Sequence, residues 1–307
     1  MNPKIKKRVV LSTLIVMIIC LYTFTAEAQH TYISTDGAEV TVTDKSRIIS
    51  IGSAVTETIF ALEADKNLIA VDESSTYPQA SSALPKVSFT RNLSAEGILS
   101  LSPTLILASG SAGPETAIRQ IRSTGVPMLL LPAEETVEAA LQRVEILGEI
   151  LNRNDEAAAM IQQMKEELAI AEAHRNQLQS RPKILFIYAR GPNNLTVAGT
   201  STSAKTMIGL AGGINAFDSF SGYKPLTAEA VVSANPDIIL MMESGMDSLG
   251  GEMGILSAPG IKLTNAAKND RIYTMNGTYL LGFGPRLGQA VLDLMQMFHP
   301  EDEISEL

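Results

Sequence analysis

The sequence predicts an α/β protein of two Rossmann-like lobes joined by one long helix. Three observations predict it. Short β-rich runs alternate with helical patterns along nearly the whole chain, the signature of α/β units. From Asp155 to about Leu178 the pattern becomes one long helix, with Ile161, Met164, Leu168, Ala171 and Leu178 on a single face. An internal repeat flanks that helix. Leu93, Ala95, Glu96, Ser100, Pro103, Ile106 and Leu107 recur in the same spacing as Leu226, Ala228, Glu229, Ser233, Pro236, Ile239 and Leu240.

In chain order, Ile48–Ile51 reads as a strand, and a helix runs through Glu57 to Leu62. Leu68–Val71, Thr104–Ala108 and Met128–Leu131 read as further strands. Between the last two, Pro114 opens a helix and Gly125 sits just past its end, the expected asymmetry of helix termini. Glu134–Leu151 is helical in pattern, and the long helix follows until Pro182 stops it. A second series then begins: a strand at Lys183–Tyr188, a helix at Ala204–Leu210, strands at Asp237–Met241 and Arg271–Met275, and a last helix to Phe298. Each copy of the repeat is a Ser or Thr cap (Ser94, Thr227), a short helix, a proline stop and a buried strand. This divides the chain into a leader at 1–28, an N-terminal lobe at 29–152, a linking helix at 153–181 and a C-terminal lobe at 182–307.

The leader reads as a secretory signal peptide. Lys4, Lys6, Lys7 and Arg8 precede an apolar run to about Phe24, and Ala26-Glu27-Ala28 supplies the small residues of a cleavage site. Cleavage there would start the mature chain at Gln29 and place it in the periplasm. It would also remove Cys20, the only cysteine, so the lobes must hold by packing alone; about 280 residues suffice for that. The whole chain has a net charge of −9, and the leader is basic, so the remainder is more acidic still. Such a surface argues against nucleic acid and anionic lipid.

Enzyme signals are weak. Gly110-Ser111-Ala112-Gly113 is not a nucleophile elbow, and Gly209 to Gly213 lacks the lysine of a phosphate loop. His30, His174 and His299 have no ligand spacing and read as solvated surface residues. An exported enzyme stays only as a distant alternative to a ligand-binding module. Ser109–Pro114 follows a strand and opens a helix. It is either a plain glycine-containing connection or a set of backbone N–H groups able to receive a carboxylate. Tyr188, Tyr223 and Tyr279 are aromatic candidates for a cleft wall. Tyr188 ends a strand and reads as core; Tyr223 lies in Ser219–Pro225, which reads as a loop, and is the better cleft candidate.

The repeat, the long helix and the leader together resemble the helical-backbone class of periplasmic binding proteins, which serves vitamin B12, siderophore and haem importers. Thr76-Tyr77-Pro78, Leu84-Pro85-Lys86-Val87, Arg91 to Gly97, Ala112-Gly113-Pro114, Ala189-Arg190-Gly191-Pro192, Ala198-Gly199-Thr200 and Leu210 to Gly213 resemble its haem-binding branch. The resemblance implies haem as a transported ligand in an interlobe cleft, with no covalent cofactor; cobalamin or a ferric siderophore is the alternative. It implies an ABC permease dimer with its ATPase as partner, docked through Glu96 and Glu229, and an outer-membrane haem receptor upstream. Glu96 and Glu229 also have a plain explanation as acids at helix starts. Relatives carry Tyr-x-Arg before the Leu-x-x-Glu segment, where the tyrosine ligates iron; here the segment is Phe89-Thr90-Arg91. Arg91 is then expected at the cargo. Tyr77 is the first candidate to replace the missing ligand, either bonding iron or stacking on the macrocycle, and Tyr223 is the next.

Overall fold

The computed structural model describes residues 30–301. The expected signal peptide lies outside these residues. Strands β1 (His30–Ile33) and β2 (Glu39–Val42) form an antiparallel hairpin that the sequence reading missed. Then come β3 (Ile48–Ile51), α1 (Ser53–Ala61), β4 (Leu68–Val71), α2 (Ala95–Ser100), β5 (Leu105–Ser109), α3 (Glu115–Ser123), β6 (Met128–Leu131) and α4 (Val137–Leu151). The four strands β4-β3-β5-β6 form one parallel sheet in that order. Its two central strands, β3 and β5, are apolar except for Ser50 and Ser109, because helices cover both faces of a parallel sheet. Ile48, Ile49, Ile51, Leu105, Ile106 and Leu107 are accordingly at or below 1% exposure.

Helix α5 (Asn154–Gln177) leads to the second lobe. There follow β7 (Lys183–Ala189), β8 (Leu195–Ala198), α6 (Ser203–Leu210), β9 (Ile214–Asn215), β10 (Tyr223–Pro225), α7 (Ala228–Ala234) and β11 (Ile238–Met242). Short helices α8 (Glu243–Ser248), α9 (Glu252–Leu256) and α10 (Asn265–Lys268), strand β12 (Ile272–Met275), and helices α11 (Gly277–Leu281) and α12 (Leu287–Phe298) complete it. Its sheet runs β10-β8-β7-β11-β12, with β9 also paired to β7. Strands β7, β11 and β12 are parallel, whereas β8 and β10 are antiparallel additions at one edge. The sequence reading missed β8, β9 and β10. They run four, two and three residues, too short for a period to show. Pro225 sits on the edge strand, where a missing N–H is tolerated.

Helix α5 buries Ala157, Met164 and Ala171, with Ile161 and Leu168 partly buried beside them. Two glycines allow the close packing around it. A Cβ on Gly148 of α4 would lie 2.3 Å from the Ala157 Cβ, and one on Gly288 of α12 would lie 2.5 Å from a Glu167 carboxylate oxygen. The two copies of the repeat have the same local build. Ser94 accepts from the Gly97 N–H at 3.1 Å and Thr227 from the Ala230 N–H at 3.2 Å, each capping a short helix. Each helix then leads into a strand central to its own sheet, β5 and β11.

Candidate functional site

The parallel strands end toward the same region, as ligand-binding edges do in open α/β sheets. The residues just past β3, β5 and β6 are Gly52–Val55, Ser109 and Ser111, and Ala133–Glu135. They meet Leu281–Phe283 of the second lobe around a cavity of about 180 Å³ that also takes in Ser74, Thr90 and Arg91. Helix α4 begins at Val137, capped by Thr136, and not at Glu134 as its pattern suggested. Glu134 and Glu135 are thereby freed to line the cavity.

Arg143 is another wall residue. It is 4% exposed and donates to the Pro132 carbonyl at 2.5 Å and, across the lobes, to the Phe283 carbonyl. Burial pulls its guanidinium down to about 10, a shift that nearby Glu134 opposes.

Arg91 is exposed on this cavity, and among the described residues its guanidinium has no protein partner. Phe89 is 63% exposed. Tyr77 lies elsewhere. It lines a second cavity of about 440 Å³ with Glu57, Phe60, Met160, Glu167 and Arg286, against the linking helix. The cation beside Tyr77 is Arg286, 3.7 Å from the ring centroid. Arg286 also binds the buried Glu57 carboxylate with Nε and Nη2, at 2.5 and 3.1 Å, and so ties the two lobes together. One face of Tyr77 is thus already covered.

Of the two readings of Ser109–Pro114, the structure matches the plain connection and not the anion cradle. The Gly110 N–H donates to Leu131, Ala112 to Ser109 and Gly113 to Thr90, while Ser111 is turned onto the Ser109 hydroxyl. Pro114 has no N–H to offer. Bonds within the turn and to Leu131 and Thr90 thus take up the N–H groups of residues 110–113.

The second lobe presents a feature that the sequence reading passed over. Tyr188, near the C-terminal end of β7, is only partly buried, and Arg190 donates to its hydroxyl oxygen from Nε at 3.0 Å and Nη2 at 2.7 Å. The signal was present as Tyr188-Ala189-Arg190, the same Tyr-x-Arg spacing that is broken at residue 89. Tyr223 is on β10 and not in a loop; its ring lies 5.9 Å from that of Tyr188. Partial burial, with the charge of Glu135 adding to it, pushes its phenol up to about 12. Tyr223 is therefore a neutral donor at pH 7. Tyr279 is engaged elsewhere: its hydroxyl donates to Asp293 at 2.7 Å, and burial and Asp293 raise its pKa.

Glu96 and Glu229 are both exposed in the first turns of α2 and α7. His299 is buried, at 9% exposure, and is not the solvated residue expected. Among the described residues no group of three or more His, Cys, Asp or Glu is arranged to hold a metal, and no helix is long and apolar enough to cross a membrane.

Two α/β lobes, a long linking helix and a polar cavity between strand ends are the build of a ligand-binding protein. The chain belongs to the periplasmic binding protein family, whose profile matches residues 48–279. It is a substrate-binding transport protein of the kind that serves ABC transporters, and not an enzyme. A periplasmic haem-binding protein from Roseiflexus sp. RS-1, solved in apo form, is 38% identical. The match covers 84% of this chain and 99% of that one, with a TM-score of 0.80. An uncharacterised ABC transporter substrate-binding lipoprotein from Bacillus subtilis is 26% identical over 261 residues, 84% of this chain and 81% of that protein. A vitamin B12-binding protein from Vibrio parahaemolyticus is 24% identical over 254 residues, 82% of this chain and 89% of that protein.

Proposed function

We propose that this protein captures haem between its lobes, in the periplasm after removal of the leader, and hands it to an ABC permease dimer and its ATPase. One observation carries the reading: two guanidinium donors converge on the Tyr188 hydroxyl oxygen. Ferric haem iron takes tyrosinate as an axial ligand. Holding an ordinary phenol ionised at pH 7 costs about 4 kcal/mol. Coordination to the iron offsets that cost, and the Arg190 hydrogen bonds fix the position of the oxygen that meets it. Tyr188 is therefore a better iron ligand than Tyr77, whose ring is packed on Arg286, or Tyr223, whose phenol is held neutral. Arg91, which lines the interlobe cavity and is unpaired among the described residues, is suited to a haem propionate.

Cobalamin is the second reading, favoured by the names of several sequence relatives. Coordination chemistry separates the two. Cobalamin and ferric siderophores arrive with the metal already ligated, so neither needs an activated phenol; haem arrives with open axial positions. Exposed Glu96 and Glu229, at matching positions of the repeat, offer a two-point contact to a symmetric permease. Titration of the purified protein with haemin and, separately, with cyanocobalamin tests the cargo. Haemin should bind with a shifted Soret band and tyrosinate charge-transfer bands. Tight cobalamin binding without a haemin response would overturn the reading.

A further inference from the structure

Asp72, immediately after β4, is completely buried, and among the described residues no salt bridge reaches it. Its carboxylate is instead surrounded by donors. Oδ1 accepts from the Gly52 N–H at 2.9 Å and the Ser75 hydroxyl at 2.6 Å. Oδ2 accepts from the hydroxyls of Ser74 and Thr90, both at 2.6 Å, and from the Ser74 N–H at 3.3 Å. Hydroxyl contacts this short are typical of O–H donors on a carboxylate. A buried carboxylate is sustained only by such a full set of donors. Three of the four donor residues share a position, Ser75 being buried away from it. Gly52, Ser74 and Thr90 come from three separate segments, and all three line the interlobe cavity together with Arg91. Asp72 itself does not line it.

Arg91 follows Thr90 directly, and its guanidinium has no partner within the described protein. Its placement therefore depends on its backbone, and the nearest side-chain anchor of that backbone is the Thr90–Asp72 hydrogen bond. We infer that Asp72 is a positioning residue for cargo, fixing Thr90 so that Arg91 meets an anionic group of the ligand at the cavity rim. This rests on the haem reading above, in which that group is a propionate.

The test is a haemin-affinity cycle with Asp72→Asn, Arg91→Ala and the double variant. Asparagine keeps the shape of Asp72 but turns an N–H₂ toward a donor, so that contacts are lost on one side. Each single variant should weaken haemin binding, Arg91→Ala by about tenfold and Asp72→Asn by about three- to tenfold. The double variant should be no weaker than Arg91→Ala alone, because Asp72 acts through Arg91. The charge-transfer bands should survive in all three, since the iron side of the site is untouched. Thr90→Val, which removes one donor and leaves Asp72 the others, should show the same non-additivity with Arg91→Ala; it serves where Asp72→Asn fails to fold. Effects that multiply, or unchanged affinity in Asp72→Asn and Thr90→Val, would overturn the inference and leave the haem reading intact. Absence of haemin binding by the wild type would overturn both.

Discussion

Replacing Arg286 with alanine should destabilise the protein by removing the main charged link between its lobes. Arg286 begins α12 and binds Glu57 of α1 through two hydrogen bonds. The Glu57 side chain is 5% exposed, whereas that of Arg286 is 33% exposed. Losing the arginine therefore strands a carboxylate that water cannot reach. Breaking a buried pair in this one-sided way costs about 3–5 kcal/mol. The Tyr77 and Tyr279 rings, 3.7 and 4.6 Å from the guanidinium carbon, lose cation–π contacts worth about 0.5–1 kcal/mol each. These overlap with the ion-pair loss, and the partial exposure of Arg286 lowers the cost, so about 3 kcal/mol is expected in total. At about 2–4 °C per kcal/mol, the thermal midpoint should fall by about 6–12 °C. Urea unfolding followed by circular dichroism and by tyrosine fluorescence checks both the size of the loss and whether the lobes still unfold together. Adding Glu57→Gln to Arg286→Ala should recover part of the loss, because no buried charge then remains. A loss below about 1 kcal/mol, the range of exposed pairs, would refute the argument; so would a double variant no more stable than the single one.

Further outcomes follow from other residues. Arg91→Ala should weaken haemin binding by about tenfold, the loss of one charged hydrogen bond, as read by titration; unchanged affinity would make Arg91 an ordinary surface residue. Glu96→Lys and Glu229→Lys should each reduce transport in a reconstituted importer, more so at low salt, and leave haemin affinity unchanged; weakened affinity in both would end the docking idea. Asp36 is held by Arg122, whose hydrogen bonds lower its carboxyl to about 2 from 3.8. A depressed carboxyl pKa stabilises the fold above the unfolded value, and that contribution is lost as pH falls from about 4 through about 2. Asp36 is 39% exposed, so Asp36→Asn should cost no more than about 1 kcal/mol at pH 7. That difference from wild type should vanish near pH 2, as urea midpoints would show.

The fold was more legible than the site, and for physical reasons. Ile48–Ile51, Leu68–Val71 and Met128–Leu131 appear as strands at the expected residues, because a buried parallel strand must be continuously apolar. Ser94 and Thr227 cap their helices because a cap depends on a few adjacent residues. The site is non-local. Glu57 and Arg286 are 229 positions apart, and Glu135 acts on Tyr223 from the other lobe; no period connects them. Tyr188 shows the difference most clearly. Its place in an apolar strand suggested core, but it stands next to the last residue of β7 and is only partly buried there. Its partner two residues on was the only local clue. Glu134 and Glu135 were assigned to a helix by composition, and Thr136, one residue later, set the true start. The closed turn at Ser109–Pro114 was beyond reach, since only the folded backbone shows that its N–H groups are spent.

The central claim is that Tyr188, supported by Arg190, receives the iron of haem. Its most direct test compares the haemin complexes of the wild type, Tyr188→Phe and Tyr77→Phe by absorption and resonance Raman spectroscopy. The wild type and Tyr77→Phe should show tyrosinate charge-transfer bands and the iron–phenolate stretch, and Tyr188→Phe should show neither. Persistence of both signatures in Tyr188→Phe, or their loss in Tyr77→Phe, would contradict the account.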